Sequence, residues 1–261
     1  MSLFLALAAA DTPPPLAKLP GSETDRFSAC VALTKSDVPR ALREADEWAK
    51  QAGDLPARHC LGLAQAAAEN WAAAANTFVR VASAAESGND PRAAQLWTQA
   101  GNAALANEDP TLARTALDRA LKLPGLTQVM QGEAWLDRGR ADVALGDMAA
   151  ARTDIDQGVR LVPDDPFAWL LSATLARRQD DLPKATRDIA EAAKLAPDDA
   201  AVALEAGNIA LEAGADQAAK VAWERARKLA PNDPAGKAAD AQLADLEAGL
   251  AKAATASATP K

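Results

Sequence analysis

The chain has 261 residues and a net charge of −8, and it lacks the cationic surplus with which nucleic-acid binders neutralise phosphates. Hydrophobic residues make up 49% of it, many of them alanine, while tyrosine is absent and no alternating β-branched run appears, so a strand-built core is excluded. One histidine and two cysteines leave too few partners for a zinc site or a conventional nucleophile and base. No enzymatic role, cofactor or metal is expected.

The chain opens on Ser2 to Ala10, an apolar run ending in three alanines before Asp11. That fits a small-residue signal-peptidase site, although the charged leading region of a signal peptide is missing. The alternative is a frayed, uncleaved end, and the run is too short to span a bilayer. Residues 11–21, with Pro13, Pro14, Pro15 and Pro20, read as an extended linker.

From residue 22 onward the pattern is helical throughout. Small residues punctuate apolar runs, first loosely (Ala29, Ala41, Ala45, Gly62, Ala74, Gly101, Ala113, Ala120) and then in strict register. Gly139, Ala173 and Gly207 are 34 residues apart, and so are Ala151, Ala185 and Ala219, and Gly158, Ala192 and Ala226. The larger Ile155, Ile189 and Trp223 keep the same phase, as do Pro163, Pro197 and Pro231 at the ends of runs. Paired antiparallel helices touch closely only where one offers Gly or Ala and the other fills the groove.

Helix starts agree with this register. Asp90-Pro91, Asp109-Pro110, Asp165-Pro166 and Asp233-Pro234 each place an acceptor before a proline that has no amide to lose. Gly146 and Gly214 suit tight turns inside a unit. Residues 234–252 predict an amphipathic capping helix, and residues 253–261 a disordered tail.

A period of 34 with small residues at these offsets resembles the tetratricopeptide repeat, a helix-turn-helix unit that stacks into a solenoid. The resemblance covers roughly residues 22 to 252. It implies an all-α, right-handed α-solenoid of six units starting near 22, 55, 94, 132, 166 and 200, with about thirteen helices once the cap is counted. The second and third units run long, and their extra residues fall around Ala84–Pro91 and Gly125–Gln131, where helices or turns must lengthen.

In that frame Cys30 and Cys60 fall on neighbouring first helices, where a disulfide is geometrically allowed. Two buried free thiols are the alternative. An export-like segment upstream favours the bond, which would close a loop worth roughly 3–4 kcal/mol. His59 next to Cys60 is no catalytic pair, because adjacent helical residues point about 100° apart. Trp48, Trp71, Trp97, Trp135, Trp169 and Trp223 are explained by packing, and the Asp pairs at turns by capping.

The resemblance also implies an inner groove lined by first helices. Carried onto this chain, that face includes Gln95, Thr98, Asn102, Glu133, Leu136 and Arg140, then Phe167, Leu170, Thr174, Arg177 and Arg178, and finally Leu204, Asn208 and Leu211. Asn102 and Asn208 match positions where the family holds a peptide backbone, since an amide both donates and accepts. Arg140, Arg177 and Arg178 suit a carboxylate. The alternative is a solvated helix face, and the Lys/Asn/Lys/Arg clamp of the chaperone-binding subtype cannot be assembled here.

The expected role is a scaffold that binds a partner protein or peptide segment in this groove, an acidic one suiting the arginines. The expected location is periplasmic or otherwise exported, in a bacterial envelope. A cytosolic co-chaperone or adaptor and a self-associating scaffold are the alternatives. Neither nucleic acid nor integral membrane insertion is expected.

Overall fold

A computed structural model describes residues 22–257. The signal-like segment 1–10, the linker 11–21 and the last residues of the expected tail lie outside them. Every element described is helical. The pairs are α1 (Glu23–Ser36) with α2 (Val38–Ala52), α3 (Leu55–Ala67) with α4 (Trp71–Ser87), and α5 (Ala93–Ala106) with α6 (Pro110–Lys122). They continue with α7 (Gln128–Ala144) and α8 (Met148–Leu161), α9 (Pro166–Arg178) and α10 (Leu182–Leu195), and α11 (Ala200–Glu212) and α12 (Asp216–Leu229), before α13 (Pro234–Ser257). Each helix packs on its predecessor, and α13 covers α12 and α11, so the array is an all-α solenoid of helical pairs with a terminal cap.

A repeated contact explains the spacing of the sequence pattern. In unit after unit a small residue of the first helix receives a large side chain sixteen positions later, from the second helix. A Cβ added to Gly62 would lie 2.6 Å from the Phe78 ring, and one on Gly101 2.5 Å from Leu117 Cγ. One on Gly139 would lie 2.7 Å from Ile155. Gly207 accepts Trp223 in the same way, and Ala173 stands opposite Ile189. Each such pair brings two helix axes together and removes a bulky apolar side chain from water, the main favourable term at each interface.

The extra residues lengthen helices, as the spacing requires: α4 and α7 each have 17 residues. Thr127 caps α7 with its hydroxyl accepting from Met130 N, so the fourth unit begins earlier than the expected residue 132. Asp109 and Asp165 cap as expected, with Pro110 and Pro166 first in their helices. Asp90 does not. Its carboxylate accepts from the Arg92 amide and guanidinium, forming a turn before α5 starts at Ala93, and these bonds hold it down to about 2, below the usual carboxylate range. The last helix runs to Ser257, beyond the expected boundary at 252, because Ala251 to Ser257 contains no helix breaker.

From the second unit on, the turns inside units share one conformation but not one residue, while the α1–α2 turn passes through Asp37 at φ −152°. Gly146 and Gly214 have φ of 80° and 73°, while Glu69, Glu108 and Asp180 occupy the same left-handed place at 57°, 56° and 58°. Only the glycines announce it in sequence, since side-chain-bearing residues visit this region reluctantly.

Candidate partner-binding face

The N-terminal units are built around two joined groups. Cys30 of α1 and Cys60 of α3 lie with Cα atoms 6.1 Å apart and sulfurs at bonding distance. Next to them the His59 ring is tilted against Phe27, centroids 5.0 Å apart, and edge-on to Phe78 at 6.1 Å. Its Nε2 donates to Gln99 Oε1 over 2.8 Å, while Nδ1 is buried without a partner. His59 therefore knits α3 to α5 and has no nucleophile beside it.

Burial pushes the His59 imidazole below its ordinary range, Gln99 opposes this, and Arg92 adds to it. The folded state thus binds a proton less readily than the unfolded chain. Its contribution to stability is complete above the unfolded value of about 6.5 and is lost as pH falls from there towards the folded value. Urea midpoints of the native chain should fall between pH 7.5 and 5.5. His59→Gln should flatten that part of the profile, and an unchanged slope would mean that other groups govern it.

Among the first helices α5 packs on α7 and α9 on α11, while α7 and α9 line a common cavity, and together they present the face on which partner-binding residues were expected. Gln95 spans α5 to α7, its Nε2 4.0 Å from Met130 Sδ, and Thr98 spends its hydroxyl on the Ala94 carbonyl at 3.1 Å. Leu170 and Leu204 are partly buried against the cores beneath them. Leu136 does not belong to the face. It is buried, because Gly158 of α8 has no side chain and Leu136 fills the space: an added Cβ there would meet its Cδ2 at 2.5 Å.

Two further expectations are corrected. Arg177 is not free for a carboxylate: its Nε donates to Glu205 Oε1 at 2.7 Å and its Nη1 to Glu212 Oε1 at 2.5 Å, tying α9 to α11. Asn208 is not free to hold a backbone, for its Nδ2 donates to Glu205 Oε2 at 3.1 Å and its Oδ1 accepts from Trp223 Nε1 at 3.1 Å. Asn102 is exposed, and with its amide turned to suit its neighbours it donates to Asp137 Oδ2 at 3.0 Å and the Thr98 carbonyl at 3.2 Å.

What stays open lies between α7 and α9. Arg140, its side chain 45% exposed, touches Asp137 at 2.7 Å and reaches the Phe167 ring, 5.8 Å from its centroid. Burial raises the Asp137 carboxyl above the ordinary range, against the pull of Arg140. Arg178 is exposed and makes no ion pair among the described residues. Arg140, Thr174 and Arg178 surround a cavity of about 210 Å³ whose remaining walls are Val143, Ile155, Leu171 and Leu175. The cavity's apolar wall residues were missed from sequence. Their spacing on α7 and α9 was visible, but which α8 side chain closes the bottom was not.

Among the described residues no group of three or more His, Cys, Asp or Glu side chains is arranged to hold a metal, and no helix is long and apolar enough to cross a membrane. The Tetratricopeptide repeat family model matches residues 60–126, 98–166 and 136–199, each match spanning about two helical pairs. No curated protein matches the chain in sequence. Among solved structures, the type IV pilus biogenesis factor PilW superposes with a TM-score of 0.68 at 16% identity, over 82% of this chain and 96% of that one. A chain of the APC/C hetero-tetramer Cut9–Hcn1 gives 0.65 at 16% identity over 87% of this chain, which spans only 42% of the matched one. YrrB, described as having an unusual peptide-binding site, gives 0.53 at 18% identity over 78% of this chain and 97% of its own. These identities speak for the fold.

Proposed function

This chain belongs to the tetratricopeptide repeat family, and from that premise we propose that it is an interaction scaffold which binds an acidic segment of a partner protein on the first-helix face between α7 and α9. The observation that carries the reading is the pair Arg140 and Arg178 flanking a small cavity with apolar walls. Among the described residues Arg178 has no carboxylate partner, and Arg140, half exposed, pairs only with Asp137. A partner that offers a carboxylate and places an apolar side chain in the cavity would satisfy both features, and charge-assisted bonds of this kind are worth about 1.5–3 kcal/mol each when desolvated. The peptide-binding description of YrrB supports the general role.

Arg178→Glu should weaken a partner recovered by pull-down about tenfold, with the melting curve nearly unchanged because that side chain is exposed and in no ion pair among the described residues. Retained affinity would exclude this face. Arg177→Glu is the instructive contrast. It would leave Glu205 buried and unpaired, so it should lower the melting midpoint whether or not a partner is present.

We further propose that the protein works outside the reducing cytosol, in the bacterial envelope. Support comes from the apolar Ser2–Ala10 segment and from the cysteine pair placed at bonding distance, since disulfides persist in oxidising compartments. Thiol titration of denatured, unreduced protein from its native source should find essentially no free thiol. Two free thiols would return the chain to the cytosol.

A further inference from the structure

Successive second helices leave a cleft between them with a first helix as floor, and the chain fills it differently along the array. Between α6 and α8 the floor residue Arg138 donates to both oxygens of Asp154, at 2.6 and 2.9 Å, and lies 3.2 Å from Asp118. Between α8 and α10, Arg152 reaches the Ser172 hydroxyl at 2.8 Å, Ser172 donates to Asp188 at 2.5 Å, and Lys184 lies 3.1 Å from Asp188. One repeat further on, the residues in phase with Arg152, Ser172 and Asp188 are Thr186, Ala206 and Ala222. The charged lock is gone. An apolar cleft of about 500 Å³ remains between α10 and α12, walled by Ala193, Val202, Ala206, Ala218, Val221 and Ala222. Val221 is 56% exposed at its edge, in a chain where 25% of residues are charged.

Charge is confined to the ends of this cleft. Arg225 stands at the rim, 51% exposed; its guanidinium donates to the Pro197 carbonyl, which places the C-terminal ends of α10 and α12 together, and lies 3.8 Å from the Asp198 carboxylate, which at 86% exposure is free to swing aside. Lys228 lies in the last turn of α12, exposed and in no ion pair among the described residues. Asp216 opens the other end, in the first turn. We propose that this cleft docks an amphipathic helix of a partner protein, running antiparallel to α10 and α12. Small and medium apolar side chains would lie in the cleft, and carboxylates of the helix's first turn would lie over Arg225 and Lys228. That orientation sets the positive end of the incoming helix against the negative ends of α10 and α12, and its acidic first turn against the two cations. The surface lies on second helices, so it is separate from the α7–α9 face and does not depend on it.

The test uses the full chain and a synthetic amphipathic helical peptide of roughly four turns, with Ala and Leu at i, i+3, i+4 and i+7 and glutamates in its first turn. A twin peptide with lysines in that turn is the control, and binding is read by fluorescence anisotropy. The glutamate peptide should bind saturably, and the lysine twin about tenfold more weakly. Ala206→Arg with Ala222→Asp rebuilds the Arg138–Asp154 lock of the upstream cleft and should weaken binding about tenfold or more, as should Val221→Glu, which alters an exposed side chain only. Absence of saturable binding, equal affinity for the two peptides, or undiminished binding by folded Val221→Glu would overturn the proposal. So would a native chain that sediments as a dimer and becomes monomeric on Val221→Glu, since the occupant would then be a second copy.

Discussion

Replacing Cys30 and Cys60 together by alanine is expected to remove about 3–4 kcal/mol from the N-terminal end of the array while leaving its C-terminal units intact. A Cys30–Cys60 bond would close a loop between residues 30 apart in sequence, and its loss would enlarge the unfolded ensemble by that much chain entropy. The folded side is weak here as well. Cys30 is the one buried residue of α1, and from that helix only Phe27 and Leu33 pack against its cluster as partly buried hydrophobics. Trp48, Ala41 and Ala45 of α2 belong to the same small cluster, so release of α1 would bare them. In a solenoid each unit is held by its neighbours, so the damage stays local. Hydrogen exchange should show α1 and α2 losing protection while α7 to α12 keep theirs. Full protection of α1 in the double variant, or in reduced protein, would mean that packing alone holds the first unit.

Gly207→Leu is expected to be the most damaging single change at the other end. An added Cβ would clash with the Trp223 ring, 2.9 Å from Cε2 and closer still to Nε1 and Cδ1. Trp223 cannot retreat. It is fully buried, its cluster includes Ala219, Ala226, Ala239 and Leu243, and its Nε1 is bonded to Asn208. Overpacking typically costs about 1–3 kcal/mol, and moving this ring also breaks a buried hydrogen bond worth about 1 kcal/mol. Gly249→Ala is the control, because its added Cβ meets nothing within 4 Å and a helical Gly→Ala change should be neutral or mildly stabilising. A melt in which Gly207→Leu matches the native midpoint would show that α11 and α12 can part at little cost.

Much of the architecture was readable along one dimension. The 34-residue period, the Gly or Ala in each first helix from the second unit on and the bulky residue sixteen later fix both the helices and the way they pair, because the contact is local and recurs. Even the burial of Leu136 had a trace: the residue in phase is Gly158 in its unit, but Ala192 and Ala226 where Leu170 and Leu204 stay partly exposed. The turn conformation was half legible, announced by Gly146 and Gly214 and concealed by Glu69, Glu108 and Asp180, whose units are held tightly enough to impose it.

The partner-facing chemistry was not readable in that way. Arg140, Arg177 and Arg178 look alike in sequence, yet Arg177 is spent on Glu205 and Glu212, residues 28 and 35 positions away, while Arg178 is left open. The apolar cleft between α10 and α12 likewise arises where Ala206 of α11 and Ala218 and Ala222 of α12 stand in phase with Ser172, Lys184 and Asp188, positions that only the stacked array brings to one place. Sequence by itself determined the helices, their register and the class of solenoid, since those follow from backbone propensity and from steric fit repeated at fixed spacing. Tertiary structure alone decided which polar groups remain free, because a charge's availability depends on what a neighbouring unit places within about 3 Å of it, and that distance has no counterpart in the repeat.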